Sequence, residues 1–211
     1  MFVAGCIIDL NFLVDSSGSI NYQTWALALK FVANIVRVLT IGPDDVRVAF
    51  VVFASNVTVE WGLAQYQDKA SLVDAIDNVR IRGGNTNLNG ALYLTWSQVY
   101  REARPNANKV TIILTDGIDN EPEFSTPLTI QNASRCKNDG IRLIAVGVTN
   151  STNEQRLMQI ASSQSDFYPV GDFNALNSII SKLTSQNCIT PEGTDHIKYF
   201  TLFQCFSAPA P

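Results

Sequence analysis

Four predominantly apolar runs constrain the fold of this chain more than any other feature. They cover residues 7–14, 46–54, 110–114 and 141–148 and are rich in Val, Ile, Leu and Phe. A strand is apolar on both faces when helices cover both sides of its sheet, as they do in parallel sheets. Between most of the runs, apolar residues recur three or four positions apart, which predicts helices. Strands that alternate with helices favour an α/β fold.

The remaining segments refine this prediction. Residues 57–61 alternate and follow the second run after Ser55-Asn56, which predicts an antiparallel pair. A short strand is predicted at 167–170, and a short helix is marked by Leu72, Ile76 and Val79. The other helices are predicted over 22–39, 88–101, 127–137, 154–162 and 173–185. The expected fold is therefore a doubly wound, mainly parallel central sheet with one antiparallel edge strand and helices on both faces.

The pattern of strands and helices indicates one domain over residues 6–188. Residues 1–5 are interpreted as an N-terminal extension, and residues 189–211 as a tail or the start of a further module. No run of 18 or more apolar residues occurs, so no segment is predicted to span a membrane. The first five residues are too short for a signal peptide, so we expect a removed signal or an excised fragment.

Net charge and the placement of the cysteines restrict the class of protein and its compartment. With 15 basic and 19 acidic residues the net charge is −4, which argues against a nucleic-acid binder. Cys6 and Cys188 flank the folded pattern and are predicted to form a disulfide, which requires an oxidising compartment. Cys136 is predicted to be either a buried free thiol or the partner of Cys205, since four cysteines permit three pairings. Glycosylation sequons begin at Asn56, Asn132 and Asn150, and they agree with an extracellular location.

Three loops expected at one edge of the sheet carry an unusual set of oxygen donors. The first run ends in Asp15, Ser17 and Ser19, Thr86 precedes a helix, and Asp116 follows the central strand. Ligands of open parallel sheets bind beyond the carboxyl ends of the strands. Alternation of Asp15, Ser17 and Ser19 lets an extended loop turn all three toward one point. Two carboxylates and three hydroxyls suit a hard divalent cation, Mg²⁺ above all, with Mn²⁺ or Ca²⁺ as alternatives.

These loops resemble the von Willebrand factor type A domain family, which includes the integrin I domains. Asp15-Ser16-Ser17-Gly18-Ser19 is similar to its DxSxS motif, Thr86 to its threonine, and Asp116 in Leu114-Thr115-Asp116-Gly117 to its second aspartate. The resemblance covers about Cys6 to Cys188 and departs at Leu88, where many members have a second threonine. It implies a metal-ion-dependent adhesion site, in which the bound cation takes a carboxylate of a partner protein as its last ligand.

The resemblance implies a non-catalytic, extracellular adhesion or matrix-binding module. Expected partners are a collagen, another matrix protein or a cell-surface receptor. One alternative is a structural matrix component that binds through a metal-independent surface. A Mg²⁺-dependent hydrolase is less favoured, because the chain has no GxxxxGK[ST] loop, no GxGxxG after a strand and no histidine inside the domain.

Overall fold

The computed structural model describes residues 7–116, 126–150, 152–169 and 174–184. Its strands are β1 (Ile8–Asp15), β2 (Val46–Phe53), β3 (Val57–Trp61), β4 (Asn108–Thr115), β5 (Ile141–Gly147) and β6 (Phe167–Tyr168). Its α-helices are α1 (Tyr22–Val38), α2 (Lys69–Asp77), α3 (Leu88–Ser97), α4 (Thr126–Asn138), α5 (Glu154–Ile160) and α6 (Asn174–Thr184). The alternation of strands and helices predicted from the apolar pattern is confirmed.

The six strands form one sheet in the order β3-β2-β1-β4-β5-β6. All neighbours are parallel except β2 and β3, which are antiparallel and place β3 at the edge. The mainly parallel sheet with one antiparallel edge strand is therefore confirmed. The chain leaves β1 toward β2 on one side and reaches β4 on the other, so the strand order reverses at β1. The carboxyl end of β1 is the point where doubly wound sheets bind ligands.

Successive residues of β1 supply the cores on the two faces of the sheet. Leu10, Phe12 and Val14 pack beneath α1, α2 and α6, whereas Leu13 packs beneath α3, α4 and α5. Every residue of β1 is buried, which explains why the strand is apolar along most of its length. Both layers of helices therefore hold β1 in place, and this fixes the position of its carboxyl end.

Helix α3 ends earlier than predicted. It stops at Ser97, and residues 99–102 form a 3₁₀ turn. Tyr100 in this turn is buried, and its hydroxyl donates to the carbonyl of Val110 and lies 3.0 Å from Oγ1 of Thr111. Because these contacts are tertiary, the helical periodicity of the sequence could not reveal them.

The three predicted glycosylation sites lie among the described residues. Asn132 is only 6% exposed, and its Nδ2, the atom that would carry a sugar, donates to Oδ1 of Asn89 at 2.6 Å. A glycan on this atom would have to displace the contact with Asn89, and glycosylation at Asn132 stays a prediction. Asn56 and Asn150 are exposed and stay predictions.

The cysteines are described only in part. Cys136 is a free, fully buried thiol, and burial raises its pKa to about 12, so it stays protonated and unreactive. Its Sγ donates to the carbonyl of Leu92. Cys6, Cys188 and Cys205 lie outside the described residues, and the disulfide between Cys6 and Cys188 stays a prediction.

Candidate metal-binding site

Asp15 is the buried centre of the predicted donor set. It is 2% exposed and ends β1. Its Oδ1 accepts a hydrogen bond of 2.9 Å from the amide of Ser17, and its Oδ2 accepts one of 2.7 Å from the hydroxyl of Thr115. Each carboxylate oxygen has about two lone-pair sites, so these bonds orient the group and leave acceptor capacity on both oxygens.

Asp116 lies beside Asp15 because of the strand register. Val14 pairs with Leu114 in parallel strands about 4.8 Å apart, so Asp116 falls one position beyond the neighbour of Asp15. Asp116 is 1% exposed, and its carbonyl accepts a hydrogen bond of 2.8 Å from the amide of Asn153. Two carboxylates that are both removed from water therefore share this edge of the sheet.

The pKa of Asp15 reflects its burial and its proximity to Asp116. Burial raises the pKa of Asp15 to about 6, and the charge of Asp116 adds to the rise. Hydrogen bonds from Thr115 and Ser17 oppose it, but they are neutral donors. Among the described residues, none of the groups that act on the pKa of Asp15 is a cation, so no basic side chain offsets the charge of this carboxylate.

The hydroxyl donors occupy two loops that meet each other. Ser17 is buried and Ser19 is exposed, and their Oγ atoms lie 3.1 Å apart. Thr86 is 1% exposed and precedes Asn87, whose side chain caps α3. The exposed positions at this edge are Ser19 and its neighbours Gly18, Gly84 and Asn85, so solvent reaches the donor set from that side.

Two backbone hydrogen bonds join the loop after β1 to the loop before α3. The amide of Gly18 donates to the carbonyl of Gly84 at 2.7 Å, and the amide of Gly83 donates to the carbonyl of Ser16 at 2.7 Å. This pair of bonds, the backbone clamp, holds residues 83 and 84, which shortly precede Thr86, against the loop that carries Ser17. The sequence analysis did not predict the clamp, because backbone pairing between loops leaves no side-chain signal.

Thr115 is the functional residue that the sequence analysis missed. It lies between the last strand residue predicted for β4 and Asp116, and it donates to Asp15 rather than acting as a predicted ligand. The signal available in the sequence was its position at the end of the central strand, directly before Asp116. The residue binds the carboxylate from the neighbouring strand and fixes its orientation.

The described residues limit which chemistry the site can perform. Within them, no group of three or more His, Cys, Asp or Glu side chains is placed to hold a metal ion. This excludes a cysteine and histidine zinc cluster there and requires hydroxyls to complete the two-carboxylate set. The single histidine of the chain, His196, lies outside the described residues. Oxygen donors without an imidazole base fit cation binding better than nucleophilic catalysis.

Gly84 gives a test of the backbone clamp. Its φ is +102°, and an added Cβ would lie 2.6 Å from Oγ of Ser55, which accepts a hydrogen bond from the amide of Asn85. We expect Gly84→Ala to lower the free energy of unfolding by about 2 kcal/mol, from strain and the displaced serine. Gly83→Ala is the matched control, with φ +75° and open space around the added carbon, and should cost only about 1 kcal/mol. Urea unfolding measures both, and equal losses would contradict the expectation.

Comparisons with known proteins identify the family to which this domain is similar. The family model for the von Willebrand factor type A domain matches residues 9–182. The chain is 34% identical over 190 residues to the collagen alpha-1(XII) chain of Notophthalmus viridescens, covering 88% of this chain and 20% of that one. It is 31% identical over 191 residues to matrilin-1 of Gallus gallus, covering 88% and 37%. The chain therefore spans well under half of these curated relatives.

A solved structure extends the comparison to the metal site. Proximal thread matrix protein 1 from the mussel byssus was solved with zinc in its MIDAS motif, the metal-ion-dependent adhesion site. It is 31% identical to this chain, with a TM-score of 0.72. The match covers 88% of this chain and 47% of the mussel protein. In the described part of the chain, no helix has the length and apolar character needed to cross a membrane. The curated relatives are proteins of the extracellular matrix, and this domain is extracellular. The chain belongs to the von Willebrand factor type A domain family.

Proposed function

We propose that this domain binds an extracellular protein partner through a divalent cation held by Asp15, Ser17, Ser19, Thr86 and Asp116. When bound, the cation, Mg²⁺ in the first place, supplies positive charge and a coordination position for a carboxylate of the partner. The observation that carries the proposal is the buried Asp15 beside Asp116, with only neutral donors among the groups that stabilise its charge.

The chain's own residues have distinct parts in this proposal. Thr115 and the amide of Ser17 orient the Asp15 carboxylate, so its free lone pairs keep a fixed direction. The hydroxyls of Ser17 and Ser19 add neutral oxygens, which leave the net charge of an ion with two carboxylate ligands near zero. Ser19 is exposed, and so a partner can approach from its side.

The comparisons support a matrix partner. Relatives include a collagen chain and matrilin-1, and the mussel protein is a matrix protein by its name. By this likeness the partner is a collagen, another matrix protein or a cell-surface receptor that offers an acidic side chain. The same relatives favour a binding module over an enzyme.

Asp116→Ala tests the proposal. We expect this variant to bind Mg²⁺ at least about tenfold more weakly than the wild type in calorimetric titration, since it loses one of two anionic ligands. Binding to a panel of purified collagens and receptor ectodomains should be sensitive to chelator in the wild type and absent in the variant. Circular dichroism should show an unchanged fold, because Asp116 lies in a loop and not in the apolar core.

Asp74→Ala is the matched control for that experiment. Asp74 is an exposed aspartate of α2, away from the carboxyl edge of the sheet. The control should bind Mg²⁺ and partner like the wild type. Equal partner affinity for wild type and Asp116→Ala at saturating Mg²⁺ would contradict the proposal and favour binding through a metal-independent surface.

A further inference from the structure

A groove of about 730 Å³ lies between α1 and the segment 77–81 that follows α2. Trp25, Leu29, Val79 and Ile81 are among the apolar residues that line it. The indole Nε1 of Trp25 donates to the carbonyl of Val79 at 3.4 Å, which fastens the segment to the helix. Both walls of the groove are therefore held in place within the folded domain.

Basic side chains surround this apolar floor. Lys30, Arg37 and Arg80 line the groove, and Asp77 is its one acidic lining residue. Arg37 lies 3.9 Å from Asp77, so these two charges largely offset each other. Lys30 and Arg80 are exposed, and within the described residues neither has an ion pair or a hydrogen bond. On a chain with a net charge of −4, the groove is a local site of positive charge.

The face of α1 that lines the groove is long enough to contact an extended peptide. Tyr22, Ala26, Leu29, Lys30 and Arg37 recur at helical spacing on one face of α1. From Tyr22 to Arg37 the helix rises about 22 Å at 1.5 Å per residue. An extended chain of about seven residues spans the same length at roughly 3.3 Å per residue.

We infer that this groove is a docking site for an extended, acidic segment of a partner protein. Carboxylates of the segment pair with Lys30 and Arg80, and its alternate apolar side chains cover the floor. Tyr22, which is 77% exposed, offers an aromatic face at the end of the groove near the loop after β1. The apolar floor favours a peptide over a sulfated glycan, which has matching charge but no apolar side chains. This inference goes beyond the proposed function, because none of these contacts uses a metal ion.

Fluorescence anisotropy in chelator tests the inference without the metal site. The probe is a fluorescein-labelled peptide of about seven residues that alternates Glu and Leu. We expect saturable binding to the wild type that weakens as salt is raised. The double variant Lys30→Glu, Arg80→Glu should bind about tenfold more weakly, because two attractive contacts become repulsive. Tyr22→Ala should weaken binding less, and its exposed side chain makes an effect on folding small.

A matched charge change elsewhere is the control. Arg101→Glu, Lys109→Glu alters the net charge by the same amount, and neither residue lines the groove. This control should bind the peptide within about twofold of the wild type, since charges beyond about 10 Å are screened at 0.1 M salt. Equal losses in both double variants, or unchanged binding in the groove variant, would overturn the inference. Binding of heparin with no binding of the peptide would also overturn it. None of these results would bear on the metal-dependent function, since chelator is present throughout.

Discussion

Replacing Arg104 by alanine is expected to lower the free energy of unfolding by about 3–5 kcal/mol. The side chain of Asp9, at the start of β1, is fully buried and depends on Arg104 for its neutralisation. Nε and Nη2 of Arg104 donate to Oδ1 of Asp9 at 2.9 and 2.7 Å. The same guanidinium donates to the carbonyls of Ile8, Pro43 and Asp45. Truncation leaves a buried carboxylate with one backbone amide as its donor and removes a partner from three carbonyls.

Thermal and urea unfolding measure this loss. A change of this size in a domain of about 200 residues corresponds to a fall in Tm of roughly 10 °C. Arg82→Ala is the matched control, because Arg82 pairs with Glu60 on the surface. An exposed pair contributes less than about 1 kcal/mol, so the control should melt close to the wild type. If both variants lost the same stability, the Asp9 pair would be no more than a surface contact.

Without divalent cations, Asp15→Asn is expected to stabilise the domain by up to about 3 kcal/mol at neutral pH. The folded pKa of Asp15 is about 6, raised mainly by burial, against an ordinary value of 3.8. Between these values the folded state holds a proton that the unfolded state has released, so stability falls as pH rises. Above pH 6 both states are ionised and the penalty is constant. Asparagine lacks this penalty, and its oxygen can still accept from Ser17.

Urea unfolding in chelator at a series of pH values isolates the effect of Asp15. The difference between variant and wild type should be near zero below pH 4, grow from pH 4 to 6 and then stay level. Comparing the two proteins at each pH cancels the titration of the other carboxylates. Added Mg²⁺ should stabilise the wild type and leave the variant unchanged. A difference that does not vary with pH would show that Asp15 is not held with a raised pKa.

The strands and the order of elements could be predicted because burial leaves a one-dimensional signal. β1 is apolar along most of its length because helices cover it on both faces. The order of the strands in the sheet leaves no such signal. The pairing of Asp9 with Arg104 could not be predicted either, because the two residues are 95 positions apart and join only after β1 and β4 pair.

The candidate site shows the same division. The types of the proposed ligands and their places near strand ends could be predicted from the sequence, because oxygen donors recur in three loops that are expected at one edge of the sheet. The hydrogen bond from Thr115 to Asp15 depends on the register of β1 and β4, which cannot be read from the sequence. The contact between Asn132 and Asn89 could not be predicted for a related reason, since a three-residue sequon carries no information about it.

The backbone clamp between the loops after β1 and before α3 has a consequence for how such a domain can diversify. Its two bonds join main-chain atoms of residues 16, 18, 83 and 84, so they do not depend on the side chains at those positions. Gly83 and Gly84 are constrained through their positive φ angles, and Gly18 is constrained because an added Cβ would lie 3.2 Å from the carbonyl oxygen of Gly84. Exposed side chains on the rim, such as that of Asn85, can therefore change without altering the frame that carries the oxygen donors. New ligand preferences can evolve by substitution on a constant scaffold.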